Sequence, residues 1–377
     1  MDAQLAGWLV SPAAAPALAA AAAETDPDSL GAAQRLRRDF PPDQAAAVLT
    51  QAGLRRKAVA KFGERAGHLF FTGAGLEQAT RAEVARWRAA RFAAAGATRV
   101  VDLGCGLGAD ALAFADAGLD VRAVDADPVT AILAGANLGR PVDCADAVEV
   151  AEALLADADA VFLDPARRTS AGRTWRISDL SPSWEFATGL LAGRLGCIKA
   201  APGLPSTAIP DGAGATWVSH CGDLVETSVW SWGSRVAVLL PDGLELASGP
   251  APRVGEVGGY LYEPDPALIR AGALGRLAEL LDAHAIQPGI AYLTGDVAVT
   301  TGYATGFAVQ EILPFEERAL RAWVREHGVG ILEIKARGLD VDPAVLRRRL
   351  KPSGAASATL VLTPTPAGAR ALVVHRL

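Results

Sequence analysis

Cysteine, methionine, histidine and aromatic residues are all scarce in this chain of 377 residues: four cysteines, one methionine, five histidines and 6% aromatics. Cys105, Cys144, Cys197 and Cys221 show neither a disulfide framework nor the paired spacing of a metal site. A stapled secreted fold and a structural zinc site are therefore excluded, no metal is expected, and a reducing cytoplasm fits. Long hydrophobic runs are missing too. The alanine-rich stretch Ala13–Ala23 is broken by Pro16, follows no basic leader and is too short to span a bilayer, so neither a targeting segment nor a membrane partner is expected. Positive charge is also in deficit. A net charge of −6 argues against a protein that coats nucleic acid, although local basic patches remain compatible with it.

What is abundant is apolar, at 51% and mostly alanine, enough to bury the cores of two or three domains. The most informative stretch is Val100-Val101-Asp102-Leu103-Gly104-Cys105-Gly106-Leu107-Gly108. It reads as a buried strand entering a glycine-rich turn, with a helix over Ala109–Ala117. Glycine permits positive φ and close backbone approach to a ligand. Asp102 adds a carboxylate at the strand end, suited to a ligand with an ammonium group and a ribose, both present in S-adenosylmethionine (SAM). Gly104, Gly106 and Ala109 also fit a dinucleotide fingerprint. The adjacent carboxylate argues against that reading, because it would repel a pyrophosphate.

The same arrangement recurs along the chain. Strand-like segments end in Asp125, Asp146 and Asp164, at intervals of about twenty residues, the rhythm of a doubly wound parallel sheet whose ligands bind at strand carboxyl ends. Asp127, before Pro128, suits a helix cap better than a ligand. Over residues 80 to 240 the chain resembles the class I SAM-dependent methyltransferases. That resemblance implies an α/β fold with a doubly wound, seven-stranded Rossmann-like sheet. It also implies that Asp102 with Gly104, Gly106 and Gly108 holds the methionine end of SAM, Asp125 the ribose and Asp146 the adenine edge.

By the same resemblance, Asp164-Pro165-Ala166-Arg167 occupies the place of the methyl-acceptor motif, making Asp164 and Pro165 the catalytic candidates. The second proline and the stacking ring of amine methyltransferases are missing here. Cys197 could serve as a nucleophile, but its apolar strand favours a small buried hydrophobe. The acceptor is expected to be nitrogen, oriented by Asp164. Arg167, Arg168, Arg173 and Arg176 crowd the following loop with Trp175. Arginines pair with phosphates and rings stack on bases, so Arg167, Arg168 and Arg173 are the substrate-binding candidates for an RNA, either tRNA or rRNA. The alternatives are a small-molecule methyltransferase, with solvated arginines, and a noncatalytic SAM- or RNA-binding protein.

Four parts are expected. Residues 1–80 form a helical region, with short helices at Ala32–Phe40, Pro42–Gln51 and Leu54–Phe62 and a basic face at Arg55, Arg56, Lys57 and Lys61. Gln78 and Thr80 lie in a lead-in that could cover the cofactor. The methyltransferase domain spans 81–248, including a helix over Ser183–Arg194 and a half-buried strand over Leu224–Trp232. A Gly-Pro boundary opens a connecting region, 249–303. A small α+β domain, 304–377, resembles the THUMP-like domain of some bacterial class I methyltransferases through Leu332–Gly338. It carries a second basic run at Arg347–Lys351. The sequence does not indicate an oligomeric state.

Overall fold

Valines 100 and 101 are β-branched and buried, which suits a strand covered on both faces. They belong to β1 (Arg99–Leu103), which pairs in parallel with β2 (Asp120–Asp125) and β4 (Ala160–Leu163). The computed structural model describes residues 1–167 and 177–377. In it, β2 pairs in parallel with β3 (Asp143–Cys144), and β4 with β5 (Leu195–Ala200). β7 (Asp223–Trp230) runs antiparallel to β5, from Cys197 opposite Trp230 to Ala200 opposite Thr227.

With β6 (Gly214–His220), β8 (Arg235–Leu240) and β9 (Leu244–Ala247), the strand order is β9-β8-β6-β7-β5-β4-β1-β2-β3. Among the described residues the sheet therefore has nine strands, where seven were expected. A turn after β8 sends the chain back as antiparallel β9. β7 also departs from expectation, because Glu226 to Trp230 are all buried. Its polar–apolar alternation marks polar groups enclosed in the protein, not a solvated face.

The chain divides into two compact units, residues 1–214 with 227–233, and 215–226 with 234–377, so the division falls inside β7. In the first unit the helices are α1 (Ala3–Leu9), α2 (Ala15–Ala23), α3 (Leu30–Leu36), α4 (Pro42–Phe62), α5 (Gly73–Gln78), α6 (Ala82–Ala94), α7 (Ala109–Asp116), α8 (Pro128–Leu138), α9 (Ala147–Leu155) and α10 (Trp184–Gly189). The two short helices expected at Pro42–Gln51 and Leu54–Phe62 are one helix, α4, of 21 residues. Glycine in mid-helix costs about 1 kcal/mol. Here Gly53 is buried against Pro27 and Asp28, and packing outweighs propensity. The helix expected over Ser183–Arg194 stops at Gly189. Leu9, Ala17, Leu36, Val48 and Leu49 share a core with Leu107, Leu112 and Leu133, which seats the N-terminal helices on α7 and α8. No single helix among the described residues is long and apolar enough to cross a membrane.

In the second unit a seven-stranded sheet has the order β11-β12-β10-β13-β16-β15-β14. Its strands are β10 (Tyr260–Pro264), β11 (His284–Ala285), β12 (Leu293–Gly295), β13 (Ala304–Pro314), β14 (Val329–Ala336), β15 (Ala356–Thr365) and β16 (Gly368–Arg376). The stretch 249–303, read from the sequence as a connector, supplies β10, β11 and β12 to the same sheet as the C-terminal strands. α11 (Pro266–Ala271) and α12 (Leu274–Leu281) precede β11. α13 (Glu317–Glu326) and α14 (Pro343–Leu350) cover Leu332, Ile334, Leu360 and Leu362 with Leu320, Trp323, Leu346 and Leu350.

Candidate cofactor and acceptor site

The turn after β1 keeps its shape through backbone conformations open to glycine. Gly104, Gly106 and Gly108 have φ of +79°, +54° and +81°. A Cβ on Gly104 or Gly106 would point into open space, so the loop leaves bare backbone facing a free volume. The amides of Gly104 and Cys105 both donate to the Val124 carbonyl at 2.9 Å, tying the loop to the end of β2. Asp125 completes the tie. Its Oδ2 accepts from Gly106 N at 2.9 Å and its Oδ1 from Asp127 N at 3.0 Å. Burial pushes the Asp125 carboxyl above its usual range, against these two hydrogen bonds.

Asp102 is different in kind. Its residue is 1% exposed, and among the described residues neither carboxylate oxygen has a hydrogen-bond partner. Burial, followed by the charges of Asp110, Asp164 and Asp125, pushes its carboxyl well above the usual range. A buried carboxylate without a partner is costly. This position therefore suits a cation-bearing ligand, and with the bare glycine loop beside it the residues present fit SAM, whose ammonium group could be held here.

The other strand-end acids take other roles. Asp127 caps α8, accepting from Thr130 N at 2.9 Å and Thr130 Oγ1 at 2.6 Å. Asp146 is exposed and caps α9 through Val148 N at 2.8 Å. Asp164, at the end of β4, is bonded at 2.6 Å to the ammonium of Lys199, a residue that the motif reading passed over. Pro165 is buried beside it. Lys199 Nζ also donates to Thr80 Oγ1 at 3.0 Å, and Thr80 Oγ1 donates to Asp110 Oδ2 at 2.6 Å. Asp110 accepts from Arg88 Nε at 2.9 Å, and Arg88 Nη1 reaches Ser228 Oγ at 2.8 Å.

Arg88 is fully buried, with its guanidinium 4.8 Å from the Phe162 ring centroid. Burial by itself would raise the Asp110 carboxyl, yet Arg88, Lys199 and Thr80 together hold it below the usual range. Thr80, a candidate cofactor contact from sequence, is thus part of a buried polar chain, whereas Gln78 is exposed. Cys197 is buried within β5, 4.0 Å from Arg88 Nη1. The available signal for Lys199 was its place at the end of β5, where a cation takes the position that acids hold at the ends of β2 and β4.

Most of the basic face expected on α4 is turned to structural use. Arg55 donates to the Leu69 carbonyl at 2.9 Å and lies over Phe70. Arg56 binds the carbonyls of Glu24 and Thr25. Lys61 binds those of Leu76, Glu77 and Ala79 at 2.7, 2.7 and 2.9 Å. Lys57 stays exposed, as do Arg347 and Arg348 on α14, while Arg349 lies 3.7 Å from Glu317. Arg168, Arg173, Trp175 and Arg176 lie outside the described residues, and Arg167 is described by its backbone alone, in a two-residue strand paired with Leu180–Ser181.

Comparison with known proteins adds to this geometry. A family model described as THUMP domain-like matches residues 304–376, and one described as a domain of unknown function matches residues 2–58. A crystal structure of a putative methyltransferase from Porphyromonas gingivalis W83 shares the fold, with a TM-score of 0.75 and 24% identity over 96% of this chain and 98% of that one. Two relatives from strains of Mycobacterium tuberculosis, each described as an uncharacterized SAM-dependent methyltransferase, are 33% identical over 349 residues, 86% of this chain and 94% of theirs. By that similarity the chain belongs to the SAM-dependent methyltransferases.

Proposed function

We propose that this methyltransferase acts on RNA, methylating a base nitrogen of tRNA or rRNA in the cytoplasm. SAM, when bound, supplies a methyl group already activated by its sulfonium, so the protein has chiefly to position and desolvate the partners. Asp102 would hold the ammonium group, with Gly104, Gly106 and Gly108 giving backbone access. Asp125 would take the ribose hydroxyls through the lone pairs left by its two loop hydrogen bonds, and Asp146 the adenine edge. Asp164 would accept a hydrogen bond from the target amine and orient its lone pair, with Pro165 shaping the approach. Arg167, Arg168 and Arg173 would meet phosphates.

The observation that carries the RNA reading is the THUMP-like match at 304–376, because THUMP domains proper bind RNA. Fold alone does not fix function, so the reading needs a direct test. A small-molecule substrate is the second reading. It is favoured by the net charge of −6 and by the internal use of Arg55, Arg56 and Lys61. Incubating the protein with methyl-labelled SAM and total cellular RNA, then mapping the nucleosides, separates the two. Label in one base of one RNA is the expected result. Label only in the small-molecule fraction would overturn it.

A further inference from the structure

Asp164 is 38% exposed at its side chain, and a carboxylate in that position would ordinarily move among rotamers and water contacts. Here Lys199, only 14% exposed, reaches it from the neighbouring strand at 2.6 Å. Lysine is a flexible cation, so its own position needs a cause. Thr80 contributes to it, accepting from Lys199 Nζ and donating its only hydroxyl proton to Asp110. Asp110 is in turn fixed by the buried Arg88. The charges alternate along the chain of contacts: Arg88 positive, Asp110 negative, Lys199 positive, Asp164 negative. Its members come from α6, α7, the lead-in before α6 and the ends of β4 and β5. They have no common sequence signature.

We propose that Lys199 is the positioning residue for Asp164, holding its carboxylate in one orientation for the methyl acceptor, with Thr80 and Asp110 holding Lys199 in turn. The proposal rests on the reading of Asp164 as the acceptor-facing group. Among the described residues, Asp102 on β1 acts on Asp164, and Asp110 on α7 and Lys61 on α4 act on Lys199. Removing the ammonium takes away a cation 2.6 Å from Asp164, so its carboxyl should titrate at higher pH.

The test uses the full chain with three substitutions, Lys199→Met, Lys199→Arg and Thr80→Val. Methyl transfer from labelled SAM to total cellular RNA is measured at saturating concentrations of both. SAM affinity is measured by calorimetry, and the Asp164 carboxyl is titrated by carbon-13 NMR, assigned through Asp164→Asn. Lys199→Met should lower the saturated rate on the order of 10²-fold, as for a displaced catalytic group. SAM affinity should stay within about threefold, under 1 kcal/mol. The carboxyl should titrate at higher pH, and the rate profile should shift in the same direction. Lys199→Arg should restore most of the rate. Thr80→Val should show the same pattern in weaker form, and it carries the test if Lys199→Met does not fold. A wild-type rate in Lys199→Met, or an Asp164 titration that does not move, overturns the proposal. If the wild-type protein labels no RNA, the RNA reading fails, and the carboxyl titration still decides whether Lys199 governs Asp164.

Discussion

The first unit encloses Asp102, the second half-buries Glu263, and the two acids are treated differently. In the second unit, Glu263 on β10 meets Lys335 Nζ at 2.7 Å and Arg337 Nη2 at 3.8 Å, and Arg337 also donates to the Ala291 carbonyl. The charges there are matched within the protein. In the first unit, Asp102 is more deeply buried and is left without a partner among the described residues. Only eight residues further on, Asp110 is also buried but is engaged by Arg88 and Thr80. Matched burial joins elements of the fold. Unmatched burial costs stability and persists where a ligand supplies the missing charge. Lys335 and Arg337, the cations of Leu332–Gly338, therefore read as internal ties rather than as contacts reaching outward.

This contrast can be broken most severely at Arg88. Arg88→Ala should cost about 3–5 kcal/mol, because Asp110 would remain buried without its ion-pair partner; a fall in Tm of less than about 5 °C would show that the network does not hold the fold. Asp102→Asn should do the opposite in the ligand-free protein, leaving Tm unchanged or raised. It should weaken SAM binding by about 1.5–3 kcal/mol, the worth of a hydrogen bond to a charged group. Calorimetry showing unaltered affinity would remove Asp102 from the cofactor site.

The pH dependence sharpens the same point. The folded-state carboxyl of Asp102 lies above its unfolded value, so the folded protein binds the extra proton. Ligand-free stability should therefore fall as pH rises from about 4 through that raised value, and Asp102→Asn should flatten this part of the curve in denaturant titrations. The smallest effect belongs to the matched cluster. Glu263→Gln should cost about 1–2 kcal/mol of stability through two cations left without their acid, with SAM affinity unchanged. A loss of SAM binding there would break the assignment of this cluster to stability alone.

The features readable from sequence were those written in consecutive residues. Val100 to Gly108 specified a strand and a turn because β-branching and positive φ are local requirements. Pro128 and Asp127 marked the start of α8 for the same reason. The network around Asp164 was not legible. Thr80, Arg88, Asp110 and Lys199 are brought together by the sheet, and none carries a motif. Residues 42–62 form one helix rather than two, with Gly53 packed against Pro27 and Asp28, neighbours that no local pattern shows. Residues 225–230 misled in another way: alternation usually signals a wet face, but here Ser228 receives a hydrogen bond from the buried Arg88.

The division inside β7 has a consequence for biosynthesis and for cutting the gene. The chain leaves its first unit after residue 214, builds part of the second, and returns with residues 227–233 before leaving again. Thr227–Trp230 is the segment that pairs with β5. A ribosome making this protein from its amino end cannot complete the first unit until that segment has emerged, although all the glycine-loop residues came out more than a hundred residues earlier. A fragment ending near 214 would leave β5 with an unpaired edge, open to joining another chain. A clean truncation must therefore carry at least the return segment, whatever is done with the residues after it.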